Sequence, residues 1–394
     1  MQNMKVADGI YNVGVKDWNI RDFHGYSTYE GTTYNAFLIN DDKNVLIDTV
    51  KSPFSDQLLA NIKKIIDPKK IDMVISNHAE LDHSGSIPRL IHFIGKDKPV
   101  FCSKAGKKNL EAHFGKDKFN LQVVSTKDEI NTGKRTLSFM DTRMLHWPDS
   151  MFTYSKEDKI LFSSDAFGQH YSGWASYDDQ IDEKELKFHA KKYFANILLP
   201  FSKLLKKLIT NIEDMNLDIE TICPDHGVIF RKSPEKIISL YKEWSENIPS
   251  KKAVIIYDSM WESTRKMAEE IAETIADRNI EVTCMNTRAW HRSDIITEVM
   301  DAKAVLIGSP TLNNNIFPAL ADVMTYMKGL KPQNKIGAAF GSYGWSGEAV
   351  GILNKYMEEM GFELAHDGLK VQYVPEESDL EKCRELGTKI ADMI

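Results

Sequence analysis

A dense run of potential metal ligands at residues 77–85 constrains the fold of this chain more than any other feature. The run reads Asn77-His78-Ala79-Glu80-Leu81-Asp82-His83-Ser84-Gly85 and directly follows an apolar, strand-like segment at residues 71–76. Small or apolar residues separate its ligands, so a loop can turn them towards different sides of one or two cations. The run therefore predicts a metal site at the end of a strand.

Three further candidate ligands occur where other strand-like segments end. These are His146 after residues 137–145, Asp165 after residues 160–164, and His226 after residues 219–223. Loops at the same ends of strands converge in sheet-based folds. A single histidine is more often a core residue, and a single aspartate after a strand is more often a cap or turn. Seven such residues in matching contexts favour one shared site.

The types of ligand indicate which metal the site binds. The set combines imidazoles with three carboxylates and contains no thiolate. Such a set suits non-haem iron, although zinc and manganese also accept it. The number of ligands suits two metal ions bridged by one carboxylate, and ions in such sites lie ~3.5–4 Å apart. The sequence thus predicts a two-metal site and favours iron.

A polar stretch near residue 250, EWSENIPSKK, divides the chain into regions with different patterns. We expect one domain at residues 1–250 and another at residues 251–394. Strands are predicted in the first at residues 34–40, 44–48, 73–76, 99–102, 137–140, 151–154 and 160–163, and helices at 55–66 and around 186–211. In the second, strands at residues 253–257, 281–285, 304–308, 335–340 and 370–374 alternate with helices such as 263–277. That alternation predicts a doubly wound parallel sheet of five strands.

Three loops of the second region are candidates to hold a phosphorylated planar cofactor. They are Ser259-Met260-Trp261-Glu262-Ser263-Thr264, Pro310-Thr311-Leu312-Asn313 and Ser342-Tyr343-Gly344-Trp345-Ser346-Gly347. Hydroxyls and backbone amides at a helix N-terminus can hold a phosphate without a lysine, although many such sequences are only helix caps. In a flavodoxin-like strand order, the three loops would meet at the switch point where FMN binds.

The order of the ligands, His78-x-Glu80-x-Asp82-His83 followed by His146, Asp165 and His226, resembles the flavodiiron protein family. In zinc hydrolases of the same fold a histidine usually stands where this chain has Glu80. The resemblance implies an N-terminal metallo-β-lactamase-like αββα sandwich followed by a flavodoxin-like doubly wound parallel five-stranded sheet. It also implies that His78, Glu80 and His146 hold one iron, that Asp82, His83 and His226 hold the other, and that Asp165 bridges them.

The same resemblance implies roles for residues around both cofactors. Ser259–Thr264 would hold the phosphate of FMN, and the other two loops would flank its isoalloxazine, with Trp345 a candidate to stack on the ring. Glu262 stands where flavodoxins often have a glycine. His24 and Tyr193 would line the substrate pocket and deliver protons. Trp147 is a further candidate at the site, and packing roles remain open for all three residues.

The activity implied by the family is electron transfer from FMN to a diiron centre. That centre would reduce dioxygen to water with four electrons, or nitric oxide to nitrous oxide. The family implies a head-to-tail homodimer or a tetramer, and rubredoxin or a reduced deazaflavin cofactor as the external electron donor. No C-x-x-C pair is present, so we expect no rubredoxin module within the chain.

Charge and hydropathy narrow the setting. A net charge of -7 argues against general binding to nucleic acids and against binding to an anionic membrane surface. No segment approaches the ~18 apolar residues of a membrane helix, and the N-terminus does not resemble a secretory signal, so we expect a cytoplasmic protein. Two alternatives remain: a binuclear zinc hydrolase with an accessory flavodoxin domain, and a non-catalytic FMN electron carrier.

Overall fold

The computed structural model describes residues 4–215 and 217–394, which form two units. The first contains the chain up to Phe23, Thr28–Phe194 and Lys203–Lys242, and the second contains His24–Ser27, Ala195–Ser202 and Glu243–Ile394. The change of unit after Lys242 falls within the helix Pro234–Ser245, and the next strand begins at Ser250. Residues 246–249 therefore connect the two regular patterns.

Two sheets make up the centre of the first unit. The strands before residue 243 are β1 Lys5–Ala7, β2 Ile10–Asn12, β3 Val15–Asp17, β4 Asp22–Phe23, β5 Tyr26–Ser27, β6 Thr32–Tyr34, β7 Phe37–Ile39, β8 Asn44–Ile47, β9 Ile71–Ser76, β10 Pro99–Cys102, β11 Asn120–Val123, β12 Glu129–Asn131, β13 Thr136–Asp141, β14 Met151–Ser155, β15 Ile160–Phe162 and β16 Thr221–Cys223. One sheet has the order β1-β2-β7-β8-β9-β10-β11 and the other the order β12-β13-β14-β15-β16. The strands predicted at residues 151–154 and 160–163 are β14 and β15, and they form an antiparallel pair.

Helices and the second sheet cover opposite faces of the seven-stranded sheet. The helices before residue 246 are α1 Ser55–Lys63, α2 Leu81–Ser84, α3 Ile87–Ile94, α4 Lys104–Phe114, α5 Glu183–Tyr193, α6 Ser202–Asp214 and α7 Pro234–Ser245. Leu38, Leu46 and Val74 point into one core with α1, α3 and α4. Their neighbours Ile39 and Val45 point into the other core, between the two sheets. This alternation is the period of a β-strand buried on both faces, and it confirms the expected sandwich.

Two predicted elements of the first unit are interrupted. The expected strand at residues 34–40 is two strands, because Asn35 turns aside and its amide donates to the carbonyls of Pro224 and Gly227. The expected helix around residues 186–211 is broken by the irregular turns Phe194–Leu198 and Leu199–Phe201. Pro200 lies within the second of these turns, and a proline removes a helical hydrogen bond.

The second unit is a parallel sheet flanked by helices. Its strands are β17 Ser250–Tyr257, β18 Glu281–Asn286, β19 Ala302–Gly308, β20 Ile336–Tyr343, β21 Glu363–Leu364 and β22 Leu369–Gln372, and its helices are α8 Ser263–Ala276, α9 Arg292–Asp301, α10 Pro318–Leu330, α11 Glu348–Glu359 and α12 Glu377–Met393. The order is β18-β17-β19-β20, and both β21 and β22 pair with β20. The predicted five-stranded sheet is thus confirmed, except that its fifth position is occupied by two short strands.

None of the helices within residues 4–215 and 217–394 has the length and apolar character of a membrane span. The longest, α12, has 17 residues and carries acidic and basic side chains along its length. A spanning helix needs about 20 predominantly apolar residues.

The close approach of β19 and β20 generates a test of the second unit. A Cβ on Gly341 would lie 1.9 Å from the carbonyl oxygen of Ser309. We therefore expect Gly341→Ala to lower the free energy of unfolding by about 1–3 kcal/mol, the usual cost of overpacking. Chemical denaturation followed by circular dichroism measures this.

Gly351→Ala is the matched control in the same unit. Gly351 lies within α11, and a Cβ there meets nothing within 4 Å. Alanine is favoured over glycine inside a helix by about 1 kcal/mol, so this variant should be more stable than the parent. Equal effects of the two substitutions would contradict the packing argument.

Candidate metal centre and flavin pocket

The seven predicted metal ligands come from four loops of the first unit. His78 and Glu80 follow β9, and Asp82 and His83 lie in the short helix α2. Asp165 follows β15 and His226 follows β16, as the sequence indicated. His146 does not directly follow a strand, because β13 ends at Asp141 and residues 142–150 form an irregular loop.

The structure brings His78, Glu80, His146 and Asp165 into one group. The Nε2 atoms of His78 and His146 each lie 3.3 Å from Glu80 Oε2. The same two nitrogens lie 3.5 Å and 3.1 Å from Asp165 Oδ2. Donor atoms ~2.1 Å from one metal ion lie roughly 3 Å apart when adjacent. The group therefore has the spacing of ligands around a single cation.

Asp82, His83 and His226 form a second group on the other side of Asp165. The Nε2 atoms of His83 and His226 lie 3.3 Å and 3.2 Å from Asp82 Oδ2. They also lie 3.2 Å and 3.5 Å from Asp165 Oδ1. Each oxygen of Asp165 thus faces a different group, which is the arrangement of a bridging carboxylate.

Unsatisfied buried atoms support a pair of cations at this position. Both oxygens of Asp165, Asp82 Oδ1 and His83 Nε2 are buried without a hydrogen-bond partner. Leaving such groups unpaired is costly, and buried charges in proteins are normally paired or bound to metal. The donor atoms of each group lie within 4.8 Å of one another. These residues therefore fit two metal ions.

Protons take up part of the negative charge of the cluster when no cation is bound. Burial lowers the pKa of His78, but its hydrogen bonds to Asp149 and Glu80 outweigh burial and raise the pKa to about 10. For His146, the nearby carboxylates of Asp165 and Glu80 likewise outweigh burial and raise the pKa to about 9. Burial raises the pKa of Asp165, but the facing histidines, His83 above all, hold it well below its usual range.

Aromatic side chains surround the metal centre. The ring of Trp147 lies 5.2 Å from that of His78, and the ring of Tyr193 lies 6.1 Å from that of His226. Burial, reinforced by the charge of Asp165, raises the pKa of Tyr193 well above its usual value. His24 belongs to the short segment His24–Ser27 of the second unit, and its role at the substrate pocket stays a prediction.

His170 is a residue of this site that sequence reasoning did not single out. It is buried, its ring lies 4.8 Å from that of His226, and its Nδ1 lies 2.8 Å from Thr32 Oγ1. Burial lowers its pKa well below the usual value, so it is a neutral imidazole beside the cluster. The only signal in the sequence was its position five residues after Asp165.

The three predicted flavin loops surround a cavity of about 520 Å³ in the second unit. Its lining includes most of the predicted residues, namely Met260, Trp261, Ser263, Pro310, Thr311, Leu312, Asn313, Ser342, Tyr343, Gly344, Trp345 and Ser346. Tyr373 and Val374, which follow β22, also line it and were not predicted. The size lies within the range of small-molecule pockets, roughly 300–1,000 Å³.

The phosphate loop lies at the beginning of α8, which starts at Ser263. Thr264 is fully buried, and its hydroxyl lies 2.9 Å from Ser342 Oγ. Ser259 Oγ is buried without a hydrogen-bond partner. Hydroxyls and free amides at a helix N-terminus fit a phosphate dianion. Gly347, at the end of the third loop, has a φ of 80°.

The backbone conformation and the ion pair of Glu262 show how the loop accommodates this residue where flavodoxins often have a glycine. Its φ of 66° lies in the left-handed region, where a glycine fits without strain. Its carboxylate lies 3.0 Å from Arg265 on the first turn of α8, so the side chain points away from the loop hydroxyls. The loop thus keeps its shape without the glycine.

Models of known protein families match both regions of this chain. The family model described as ODP family beta lactamase matches residues 32–227, and the flavodoxin model matches residues 255–387. A nitric oxide reductase of Moorella thermoacetica is 46% identical, covering 100% of this chain and 99% of the relative. The chain belongs to the flavodiiron protein family.

Two solved structures agree with this membership. The rubredoxin oxygen:oxidoreductase of Desulfovibrio gigas has a TM-score of 0.96 at 44% identity, covering 99% of this chain and 98% of that one. The flavodiiron protein of Giardia intestinalis has a TM-score of 0.95 at 33% identity, covering 99% and 96%. FMN and two non-haem irons are accordingly the cofactors of this flavodiiron protein, as the sequence indicated.

The charge balance of the cluster predicts a pH dependence that iron removes. In the metal-free protein, His78 and His146 have pKa values of about 10 and about 9, above the ordinary 6.5. At pH values between 6.5 and these raised pKa values, the folded state therefore binds more protons than the unfolded state. Their contribution to stability is complete below pH 6.5 and is lost as the pH rises through 9 to 10.

Thermal unfolding at pH 7 and pH 9.5 measures this effect, with iron-loaded protein as the control. We expect the unfolding temperature of the metal-free protein to fall further than that of the loaded protein. In the loaded protein, the cations replace the protons that the imidazoles would otherwise hold. Parallel decreases in both forms would contradict the charge balance.

Proposed function

We propose that this protein reduces dioxygen to water, or nitric oxide to nitrous oxide, at a pair of irons that receive electrons from FMN. The observation that carries the proposal is the shared carboxylate of Asp165, with one oxygen towards each group of ligands. A bridged pair of redox-active ions is suited to deliver several electrons to one diatomic gas or to two.

The seven side chains have distinct roles in this proposal. His78, Glu80 and His146 hold one iron, Asp82, His83 and His226 hold the other, and Asp165 bridges them. When bound, the irons supply the redox chemistry and the positions at which a gas binds. Glu80 supplies a hard, negatively charged oxygen between two imidazoles, 3.3 Å from each, which favours iron over zinc.

The flavin loops divide the work of holding FMN. We assign the phosphate to the hydroxyls and amides of Ser259–Thr264, and the isoalloxazine to the loops that contain Thr311 and Tyr343. Trp345 is 85% exposed at the cavity, so its ring face is available for stacking.

Protons for the reduction come from buried polar groups beside the cluster. Tyr193 carries its phenolic proton at neutral pH, as tyrosines with a pKa near or above 10 do, and it lies near Asp165 and His226. We assign proton donation to Tyr193 and His24. Trp147 packs against the ring of His78, and we assign it the exclusion of water from the metal centre.

The setting of the reaction is also part of the proposal. The donor is an external rubredoxin or a reduced deazaflavin cofactor, and the relatives include a rubredoxin oxygen:oxidoreductase. We propose a cytoplasmic head-to-tail homodimer or tetramer in which the flavin of one subunit serves the irons of the next. Its domains are residues 1–250 and 251–394.

Paired gas assays under anaerobic conditions test the proposal. Protein loaded with iron and FMN and reduced chemically should consume dioxygen, nitric oxide or both at an electrode. Asp165→Ala should lose most of its iron and its activity while FMN stays bound, since no other side chain among the described residues faces both groups. Asp141→Ala, at the end of β13, is the matched control and should keep both irons.

Two outcomes would defeat the proposal. Negligible rates for both gases with full iron and FMN would leave a non-catalytic electron carrier. Purified protein that binds zinc in place of iron and hydrolyses esters or amides would indicate a hydrolase. Retention of full iron by Asp165→Ala would remove that residue from the metal centre.

The phosphate loop has a separate test. Thr264→Ala removes a buried hydroxyl that a phosphate oxygen can use, so we expect FMN to bind about tenfold more weakly. Fluorescence titration of the flavin-free protein with FMN measures the dissociation constant. Thr274→Ala, a matched change farther along α8 where the hydroxyl only contacts the Glu270 carbonyl, should leave it unchanged. Equal affinities in both variants would move the phosphate elsewhere.

A further inference from the structure

Asp149 lies behind the metal centre, on the side of the His78 ring that faces away from Glu80 and Asp165. Its Oδ2 accepts hydrogen bonds from His78 Nδ1 at 3.0 Å and from the backbone N–H of Ala79 at 2.7 Å. Its Oδ1 accepts from Asn109 Nδ2 of α4 at 3.0 Å. The side chain is only 1% exposed. This carboxylate is therefore fixed by groups from two other segments before any metal binds.

The bond from His78 to Asp149 fixes both the ring and its proton. With the proton on Nδ1, the lone pair of Nε2 points towards Glu80 Oε2 and Asp165 Oδ2. A carboxylate behind an imidazole also makes that ring a stronger donor to a metal ion. Binding a cation then costs no reorientation of His78.

The other group of ligands lacks an equivalent carboxylate bond. His226 Nδ1 donates to a neutral acceptor, the backbone carbonyl of Thr33, at 2.6 Å. Within the part of the chain that the structure describes, His83 Nδ1 has no hydrogen-bond partner. The Asp225 carboxylate is 3.6 Å from it, beyond hydrogen-bonding distance. The two metal positions therefore have similar inner ligands but different support behind them.

We propose that Asp149 is a positioning residue that makes the position of His78, Glu80 and His146 the tighter of the two metal positions. The inference rests on the proposed function, because it takes these side chains as iron ligands. It follows that a chelator removes the ion held by Asp82, His83 and His226 first.

Single-position backgrounds isolate the effect. His226→Ala weakens the second position and leaves the first, while His146→Ala weakens the first and leaves the second. Asp149→Asn, which removes the charge but keeps the shape, is introduced into each. Ferrous ion is titrated anaerobically against a competing coloured chelator, which needs no turnover.

We expect Asp149→Asn to raise the dissociation constant by about 10–100-fold in the His226→Ala background, the usual effect of losing such a partner. In the His146→Ala background the constant should stay within about twofold. Asn109→Ala, which loosens Asp149 without altering its charge, should weaken the first position by a smaller factor. Asp141→Asn is the matched control and should change neither. Circular dichroism, which covers both units, reports whether each variant is folded.

Several results would overturn the assignment. These are an unchanged affinity in the His226→Ala background, an equal loss in both backgrounds, or removal of both ions from the parent protein in a single step. If Asp149→Asn fails to fold, an Asn109→Ala variant with parental affinity at both positions also overturns it. Failure of gas reduction with intact titrations would defeat the proposed function alone, so the two failures are distinguishable.

Discussion

The carboxylate of Asp165, placed between two groups of buried imidazoles and carboxylates, is the constraint on which the first unit depends. Glu80, Asp82 and Asp165 would together carry three negative charges in a space that excludes water. Such a cluster is unstable unless cations or protons occupy it. Protons can balance this charge, because the raised pKa values of His78 and His146 keep both imidazoles protonated. Two metal ions balance it in their place. A single cation would leave one oxygen of Asp165 unmatched.

The sandwich supplies this arrangement because strand ends meet at one edge. β9 pairs with β8 and β10 in parallel, and β15 pairs with β16 in parallel, so their carboxyl ends deliver loops in the same direction. The flavin cavity follows the same rule, since its loops come after β17, β19, β20 and β22. One physical feature, the direction of parallel strands, therefore builds both cofactor sites.

Much of this could be predicted from the sequence, because the ligands lie at the ends of apolar runs that bury both faces. The features that could not be predicted depend on contacts between distant segments. Asn35 interrupts a strand because its amide bonds the loop of His226, and no local pattern carries that information. His170 reaches the centre through contacts with residues distant in sequence, among them Thr32 and His226. Tyr373 was missed because the predicted strand at residues 370–374 included it, whereas β22 ends at Gln372 and Tyr373 belongs to the loop that follows.

FMN bound between the three predicted loops would rely on shape and dipoles more than on charge. Among the described residues that line its cavity, none is a lysine or an arginine. A phosphate dianion would then be held by the amides at the beginning of α8 and by hydroxyls such as those of Thr264 and Ser342, which already contact each other. Glu262 lies within this loop, and its carboxylate forms an exposed ion pair with Arg265 at 3.0 Å.

The choice between dioxygen and nitric oxide is separate from the metal ligands. Relatives named for either gas are almost equally similar to this chain, at 46% and 44% identity. A discrimination between two diatomic gases of similar size must then come from groups that touch the gas or supply its protons. In this structure the candidates are the uncharged, ring-bearing side chains around the cluster, Trp147, His170 and Tyr193, each packed against a metal-binding imidazole. If the proposed ligands hold the irons, specificity and metal binding would lie in different residues, so that one could change without loss of the other.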